Sequence, residues 1–178
     1  MPKLIENAKE KIIIQGRKTL LEEGYKGLNI REIAKKCDIG TGTFYNYFRN
    51  KIELVIEIFQ DDWNKTLNII ESLKLTDEPF KEKIRKIYES LQGFVDDYIS
   101  IFYEIANEEK QGYHCREKDS FTKLHTKIGE LIELERKKGN ITSKLDSEKL
   151  SYFIISNLTY LSKNKYMSFD ELYDHLKI

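Results

Sequence analysis

Residues 24–51 read GYKGLNIREIAKKCDIGTGTFYNYFRNK. Asn29 and Glu32 are spaced as the two partners of a capping box, which predicts that a helix begins at Asn29. This helix stops at residues 38–40 (DIG), and a second short helix is predicted over residues 41–47. Two short helices with so tight a joint predict a helix-turn-helix arrangement.

The rest of the chain carries apolar residues at helical spacing, without strand-like alternation. We predict an earlier helix over residues 4–23, a helix restart at Asp96–Asp97, a loop over residues 112–119, and further helix starts at residues 50, 77–79, 146 and 168. No run of 18 or more apolar residues occurs, so no membrane-spanning segment is expected. The predicted fold class is all-α, with about nine helices.

Charge is unevenly distributed along a chain whose formal net charge is zero. Through Lys51 there are eleven basic and six acidic side chains, a net charge of +5. The remaining residues carry nineteen basic and twenty-four acidic side chains, a net charge of −5. A basic end on an acidic body is the asymmetry expected when one end of the chain faces a polyanion.

The segment closely resembles the DNA-binding domain of the TetR family of transcriptional regulators (TetR/AcrR type). The matching residues are Gly24-Tyr25, Ile33-Ala34, Gly42-Thr43-Phe44-Tyr45, Tyr47-Phe48, Lys51 and Leu54. The resemblance covers about residues 5–65, with the helix-turn-helix at about 29–48. The chain departs from the family at Leu28, where Thr is common, at Asp38, where Gly is usual, and at Gly40, where Ser is usual.

The resemblance implies a DNA-binding domain over residues 1–50 and a helical effector-binding and dimerisation domain over residues 51–178. The residues expected to contact DNA are Arg31, Thr41, Gly42, Thr43, Tyr45, Asn46, Tyr47 and Lys51. Side chains of the second short helix would meet base edges in the major groove, and Lys51 would meet a phosphate at a helix start. Phe44 and Phe48 are expected to anchor that helix in the core.

Two further sets of residues follow from the helices beyond residue 51. The helix over residues 147–163 is apolar on more than one face, so dimerisation is expected through Leu150, Phe153, Ile154, Leu158, Leu161 and Leu172. The aromatic centre of the chain and its few arginines predict a neutral or cationic, mainly apolar effector. Its candidate contacts are Trp63, Tyr88, Tyr98, Phe102 and His125.

Catalysis and metal binding are not expected. His114 and Cys115 are adjacent and do not share a helix face, and no carboxylate stands at ligating spacing from them. No catalytic triad order or phosphate-binding glycine loop is present, so we expect neither an enzyme nor a cofactor. Two cysteines are too few for a disulfide framework, and a cytoplasmic protein is expected.

Together with the resemblance, the sequence predicts a homodimeric repressor that binds a near-palindromic DNA operator and is released from it by a small molecule. Three alternatives remain open at this point: an activator, a DNA-binding regulator without an effector, and a helical protein-binding module that keeps the helix-turn-helix as a scaffold.

Overall fold

A computed structural model describes residues 7–108 and 117–178 of the chain. These residues form eight helices and no strand, which confirms the predicted all-α fold. The helices are α1 (Ala8–Gly27), α2 (Ile30–Lys36), α3 (Thr41–Tyr45), α4 (Lys51–Lys74), α5 (Phe80–Glu108), α6 (Glu117–Lys137), α7 (Ser147–Asn164) and α8 (Phe169–Leu176).

Helix α5 accounts for the difference between the described eight helices and the predicted nine. The predicted restart at Asp96 and Asp97 is wrong, because α5 continues through both residues without a break. Beyond them the buried stripe of the helix goes on at helical spacing through Tyr98, Ile101 and Ile105, while the two aspartates are exposed. Core packing therefore keeps the helix continuous where the local sequence suggests a new start.

Three predicted boundaries differ from the structure or lie outside it. Helix α3 ends at Tyr45, not at residue 47. Helix α6 begins at Glu117, inside the predicted loop, whose residues 112–116 lie outside the described residues. The predicted start of the first helix at Leu4 lies outside them as well.

Helix ends that carry local capping signals are placed as predicted. Asp146 precedes α7, and its side chain accepts a hydrogen bond from the N–H of Lys149 over 2.8 Å. Ser168 and Glu171 form a capping box at the start of α8. Gly139 ends α6 with a φ of 80°. Caps are local interactions, so a sequence pattern can indicate where these helices begin and end.

The described residues divide into two compact units. The first contains residues 7–62 and 97–108, and the second contains residues 63–96 and 117–178. Helices α4 and α5 contribute residues to both units. These units are defined by packing, whereas the boundary predicted near residue 50 separates DNA binding from effector binding and dimerisation. That functional boundary stays a prediction.

Each unit has its own buried apolar residues. In the first unit they include Ile12, Leu20, Tyr25, Ile33, Phe44, Leu54, Ile58 and Tyr98. In the second unit α4 to α8 share one core, which includes Ile70, Ile84, Ile87, Leu124, Ile128, Leu131, Leu150, Ile154 and Leu158. The helix-turn-helix therefore rests on the core of the first unit.

Candidate nucleic-acid interface

The joint between α2 and α3 is a tightly closed helix ending. The N–H of Ile39 donates to the carbonyl of Ala34 over 3.0 Å, and the N–H of Asp38 donates to the carbonyl of Lys35 over 3.1 Å. These two bonds form a Schellman motif. Its left-handed position is taken by Asp38, with a φ of 54°. Asp tolerates this conformation better than most residues, so the joint forms here without a glycine.

Helix α3 is anchored by one apolar face. Gly40 is its N-cap residue, in an extended conformation, and its carbonyl accepts a hydrogen bond from the N–H of Thr43 over 2.9 Å. Phe44 and Phe48 are 0% and 2% exposed, with ring centroids 5.6 Å apart. Their predicted role as core anchors is confirmed. The remaining faces of this five-residue helix are turned outward.

The expected DNA contacts of α3 and the turn after it lie on this outward surface. The exposed residues are Gly42, Tyr45 and Asn46. The partly exposed residues are Thr41, Thr43 and Tyr47. The Tyr45 ring is 52% exposed and stands edge-on to Phe44 with centroids 5.7 Å apart. A Cβ placed on Gly42 would meet no atom within 4 Å. A row of groups able to form hydrogen bonds thus faces open space.

Arg31 and Lys51 lie at the starts of α2 and α4. Arg31 is exposed in the first turn of α2, where its N–H donates to Oδ1 of Asn29 over 2.9 Å. The Nζ atom of Lys51 donates to the carbonyl of Tyr25 over 2.8 Å and lies 3.8 Å from the centroid of the Tyr25 ring. Lys51 therefore also stabilises the end of α1, so a test of its role in DNA binding needs a measurement of stability beside it.

Sequence reasoning missed Glu104 of α5. Its Oε2 atom accepts hydrogen bonds from the N–H of Tyr25 over 2.7 Å and from the N–H of Lys26 over 3.2 Å. These partners are 79 and 78 residues away along the chain. No local pattern in the sequence signals a contact of that separation.

The five candidate effector contacts are divided between the two units. Tyr98 and Phe102 belong to the first unit, where their ring centroids lie 4.8 and 4.6 Å from that of Phe59. The Tyr98 side chain is 1% exposed, and its hydroxyl donates to the carboxylate of Asp62. Burial, together with this bond, raises the pKa of Tyr98 far above its ordinary value, so the phenol stays neutral.

The other three candidates belong to the second unit, where each has an aromatic neighbour. The ring pairs are Trp63 with Phe94 at 5.2 Å and Phe121 at 5.4 Å, Tyr88 with Phe169 at 5.4 Å, and His125 with Tyr152 at 3.8 Å. Burial lowers the pKa of His125, which favours the neutral ring. The role of these five residues in effector binding stays a prediction.

The six residues expected at the dimer interface differ in their exposure within one chain. Phe153 is 44% exposed, but the other five side chains are buried in the core of the second unit: Leu150, Ile154, Leu158, Leu161 and Leu172. Side chains that are buried inside one chain are not available to a partner. Helix periodicity identified two apolar faces on α7 but could not distinguish the face that packs on its own chain.

An exposed aromatic surface remains on the other side of α7. It consists of Tyr152, Phe153 and Tyr160 of α7 with Tyr166 and Met167 just after it, which are between 38% and 60% exposed. The rings of Tyr160 and Tyr166 contact each other edge to face, with centroids 5.5 Å apart. Contiguous exposed apolar groups of this kind are typical of surfaces that bind another protein.

Two of the remaining predictions concern metal ions and membranes. Among the side chains that the structure describes, in residues 7–108 and 121–178, no group of three or more His, Cys, Asp or Glu could hold a metal ion. His114 and Cys115 lie outside that part of the chain. Over the same residues, no helix has the length and apolar character needed to cross a membrane.

Sequence comparison relates the chain to bacterial regulators. Residues 12–58 match the family described as bacterial regulatory proteins, tetR family. The HTH-type transcriptional regulator YuxN of Bacillus subtilis is 30% identical over 139 residues, which are 73% of this chain and 47% of YuxN. YdgC, another HTH-type transcriptional regulator of that species, is 25% identical over 166 residues, 85% of this chain and 81% of YdgC. The chain thus spans about half the length of YuxN and most of YdgC.

Solved structures share the fold over nearly the whole chain. The regulator FadR from Bacillus subtilis in complex with stearoyl-CoA superposes with a TM-score of 0.64 at 17% identity, over 93% of this chain and 94% of FadR. A transcriptional regulator from Saccharomonospora viridis in complex with choline gives a TM-score of 0.70 at 17% identity, over 97% and 94%. At this identity the likeness concerns the fold alone.

Proposed function

Because this chain belongs to the TetR family of transcriptional regulators, we propose that it is a homodimeric repressor that leaves its DNA operator when a small molecule binds. Residues 1–50 bind DNA in this proposal, and residues 51–178 bind the effector and the partner subunit. The observation that carries the proposal is the outward surface of α3, where groups able to form hydrogen bonds flank the buried Phe44 and Phe48.

DNA recognition follows from the dimensions of α3. The major groove of B-DNA is about 12 Å wide and admits one helix. With Phe44 holding one face of α3 in the core, the opposite face enters the groove and brings Thr43 and Asn46 to the base edges. An Asn side chain pairs with adenine through two hydrogen bonds, and a Thr can donate, accept or contact a thymine methyl group. Tyr45 and Tyr47 donate to phosphate oxygens.

Lys51 and Arg31 position the protein on the DNA backbone. A lysine ammonium group has three N–H donors, so its bond to the carbonyl of Tyr25 leaves others for a phosphate oxygen. The first amide groups of α4, a helix of 24 residues, add a favourable dipole at the same place. Arg31 lies at the start of α2 and is exposed, which suits either a phosphate or a base.

The dimer interface in this proposal is the exposed aromatic surface of α7 and the residues just after it. Tyr152, Phe153 and Tyr160 face away from the core of their own chain. A twofold dimer through α7 buries this surface against its own copy and carries two α3 helices, one for each half of a near-palindromic operator.

The proposed effector is a neutral or cationic, mainly apolar molecule. Arg85 binds the carboxylate of Asp170, and Arg136 binds Glu133 and Ser147, so these two guanidinium groups are already engaged. Aromatic rings bind apolar molecules through buried area and cations through their faces. Regulators of this fold have been solved with choline and with stearoyl-CoA, so the fold admits ligands of very different chemistry. A thermal-shift screen that includes both compounds, followed by measurement of operator release, tests whether the effector is a neutral or cationic, mainly apolar molecule.

The DNA-binding proposal is tested by the salt dependence of binding. The probe is a short duplex selected by the wild-type protein from a random-sequence pool, and fluorescence anisotropy measures the affinity at several salt concentrations. Lys51→Ala should weaken binding to all sequences and reduce the slope of log K against log salt by about one for each lost phosphate contact. Lys144→Ala, an exposed lysine outside the proposed interface, is the charge-matched control.

Thermal unfolding of each variant separates loss of contact from loss of fold. The DNA affinities of Lys51→Ala and of the control are compared at a temperature where both variants are fully folded. A slope equal to that of Lys144→Ala would remove Lys51 from the interface. A wild-type protein without salt-dependent DNA binding would contradict the proposed function itself.

A further inference from the structure

Gly24 interrupts α1 near its end. Its backbone, with φ 72° and ψ −178°, lies outside the helical region, in a conformation that glycine adopts without steric cost. Residues 25–27 then form one more turn, which leads through Leu28 to Asn29, the N-cap residue of α2. The conformation at this interruption therefore sets the direction in which the chain enters the helix-turn-helix.

A carboxylate from α5 binds the backbone just after the interruption. Oε2 of Glu104 accepts from the N–H of Tyr25 over 2.7 Å and from the N–H of Lys26 over 3.2 Å. A Cβ on Gly24 would lie 2.8 Å from Oε1 of the same carboxylate. Hydrogen bonds to an ionised acceptor are about twice as strong as neutral ones. Glu104 thus acts as an N-terminal cap supplied by a distant helix.

The same turn is held from a second side. Lys51 at the start of α4 donates to the carbonyl of Tyr25 over 2.8 Å, and its Nζ atom lies 3.8 Å from Oε2 of Glu108 on α5. The Tyr25 side chain is 1% exposed. The backbone of Tyr25 is therefore bound through its N–H by α5 and through its carbonyl by α4.

We propose that Glu104 is a positioning residue for DNA binding: its carboxylate fixes residues 25–27, and through them the presentation of α2 and α3. The inference rests on the proposed DNA-binding function. Helix α5 is continuous from Phe80 to Glu108 and contributes to both compact units. A displacement of its last turns withdraws the carboxylate from the turn, so the affinity for DNA depends on where the end of α5 lies.

Without the Glu104 carboxylate, DNA binding must also order residues 25–27, which costs free energy. When the carboxylate is absent, residues 25–27 sample other conformations, and only a fraction of molecules present α3 in the binding arrangement. The apparent dissociation constant rises in inverse proportion to that fraction. Non-specific binding, which depends on the total charge near the backbone, does not need that arrangement to the same degree.

The test compares Glu104→Ala with Glu104→Gln, because both remove the same charge while Gln keeps an oxygen acceptor. Glu89→Gln, at an exposed glutamate earlier on α5, controls for the lost charge. Affinities are measured for a duplex selected by the wild-type protein and for a random-sequence duplex. Glu104→Ala should bind the selected duplex at least about tenfold more weakly than Glu89→Gln, since hydrogen bonds to a charged group are lost. Glu104→Gln should recover part of this loss.

A second readout does not depend on DNA. Hydrogen exchange of the Tyr25 and Lys26 amides should be faster in Glu104→Ala than in Glu89→Gln. Equal binding of the selected duplex by Glu104→Ala and Glu104→Gln, or unchanged exchange of both amides, would overturn the inference while leaving the proposed function in place. Failure of the wild-type protein to bind any duplex would instead overturn the proposed function, and the effect on affinity with it.

Discussion

The Nζ atom of Lys83 on α5 lies 2.9 Å from Oε1 of Glu135 on α6, and the two side chains are 0% and 1% exposed. Lys83 also donates to the carbonyl of Thr76 over 2.6 Å, and Asn140 donates to the second oxygen of Glu135 over 2.7 Å. One buried ion pair therefore joins α5 and α6 to the segments that follow α4 and α6.

Removal of one partner of this pair should be costly. Lys83→Met leaves the Glu135 carboxylate buried beside an apolar side chain, and we expect the free energy of unfolding to fall by about 3–5 kcal/mol. Urea unfolding followed by circular dichroism measures the change. The double variant Lys83→Met/Glu135→Leu removes both charges and should be more stable than Lys83→Met alone. A double variant that is less stable than Lys83→Met would contradict this account of the pair.

Stability should also fall in acid because of Glu135. Burial raises the pKa of this carboxyl group, but the hydrogen bonds from Asn140 and Lys83, together with the charges of Lys83 and Lys138, outweigh burial and hold the pKa below its ordinary value. Such a group stabilises the fold above its unfolded pKa of about 4.3, and the contribution disappears as the pH falls through the lower folded pKa. Urea unfolding at a series of acidic pH values should show this loss.

The control for the pH prediction is the same double variant. Without the carboxyl group at position 135 it should lose less stability between neutral pH and the acid range than the wild-type protein. An identical loss in the two proteins would assign the acid sensitivity to other carboxylates.

Asp38 should be replaceable by glycine with a gain in stability. A left-handed backbone costs an ordinary L residue roughly 1–2 kcal/mol, and Asp38 adopts it with a φ of 54° at the end of α2. Asp38→Gly removes the steric cost but adds chain entropy to the unfolded state, so we expect a gain of less than about 1 kcal/mol. Asp38→Ala should be destabilising. Thermal unfolding distinguishes them, and an Asp38→Gly variant less stable than Asp38→Ala would refute the prediction.

The exposed aromatic surface should control the oligomeric state. In a twofold interface each substitution acts twice, and burial of an unpaired carboxylate costs several kcal/mol. The variant Phe153→Glu/Tyr160→Glu should therefore weaken the dimer by at least about a hundredfold. Sedimentation equilibrium measures the dissociation constant. Asn68→Glu, at an exposed position of α4, is the control for added charge. If the double variant and the control dimerise equally well, the interface lies elsewhere.

Local signals in the sequence predicted the helices well and the contacts between distant residues poorly. The helix starts near residues 146 and 168 depend on caps formed by neighbouring residues, and both were placed as predicted. The helix break predicted near residue 97 does not occur, because the continuity of α5 depends on core packing. Which apolar face of α7 packs on its own chain depends on other helices, so the sequence did not show that Leu158, expected at the dimer interface, is buried in the core of its own chain.

The candidate DNA contacts were proposed from one short ordered motif, and their role in DNA binding stays a prediction. Contacts between residues far apart in the chain were not predicted. Glu104 lies 79 residues from Tyr25, and 52 residues separate Lys83 from Glu135. A single sequence contains many glutamates and lysines at such separations, and nothing in it marks which of them meet.

Selection of bound duplexes from random-sequence DNA, followed by sequencing, tests the central claim most directly. If two α3 helices of a dimer read successive major grooves, the selected sites will be inverted repeats whose half-sites are one helical turn, about 10 base pairs, or a multiple of it apart. Asn46→Ala should select the same spacing with a relaxed preference inside each half-site. Absence of any enriched sequence, or enrichment that Asn46→Ala and Thr43→Ala leave unchanged, would contradict DNA recognition by α3.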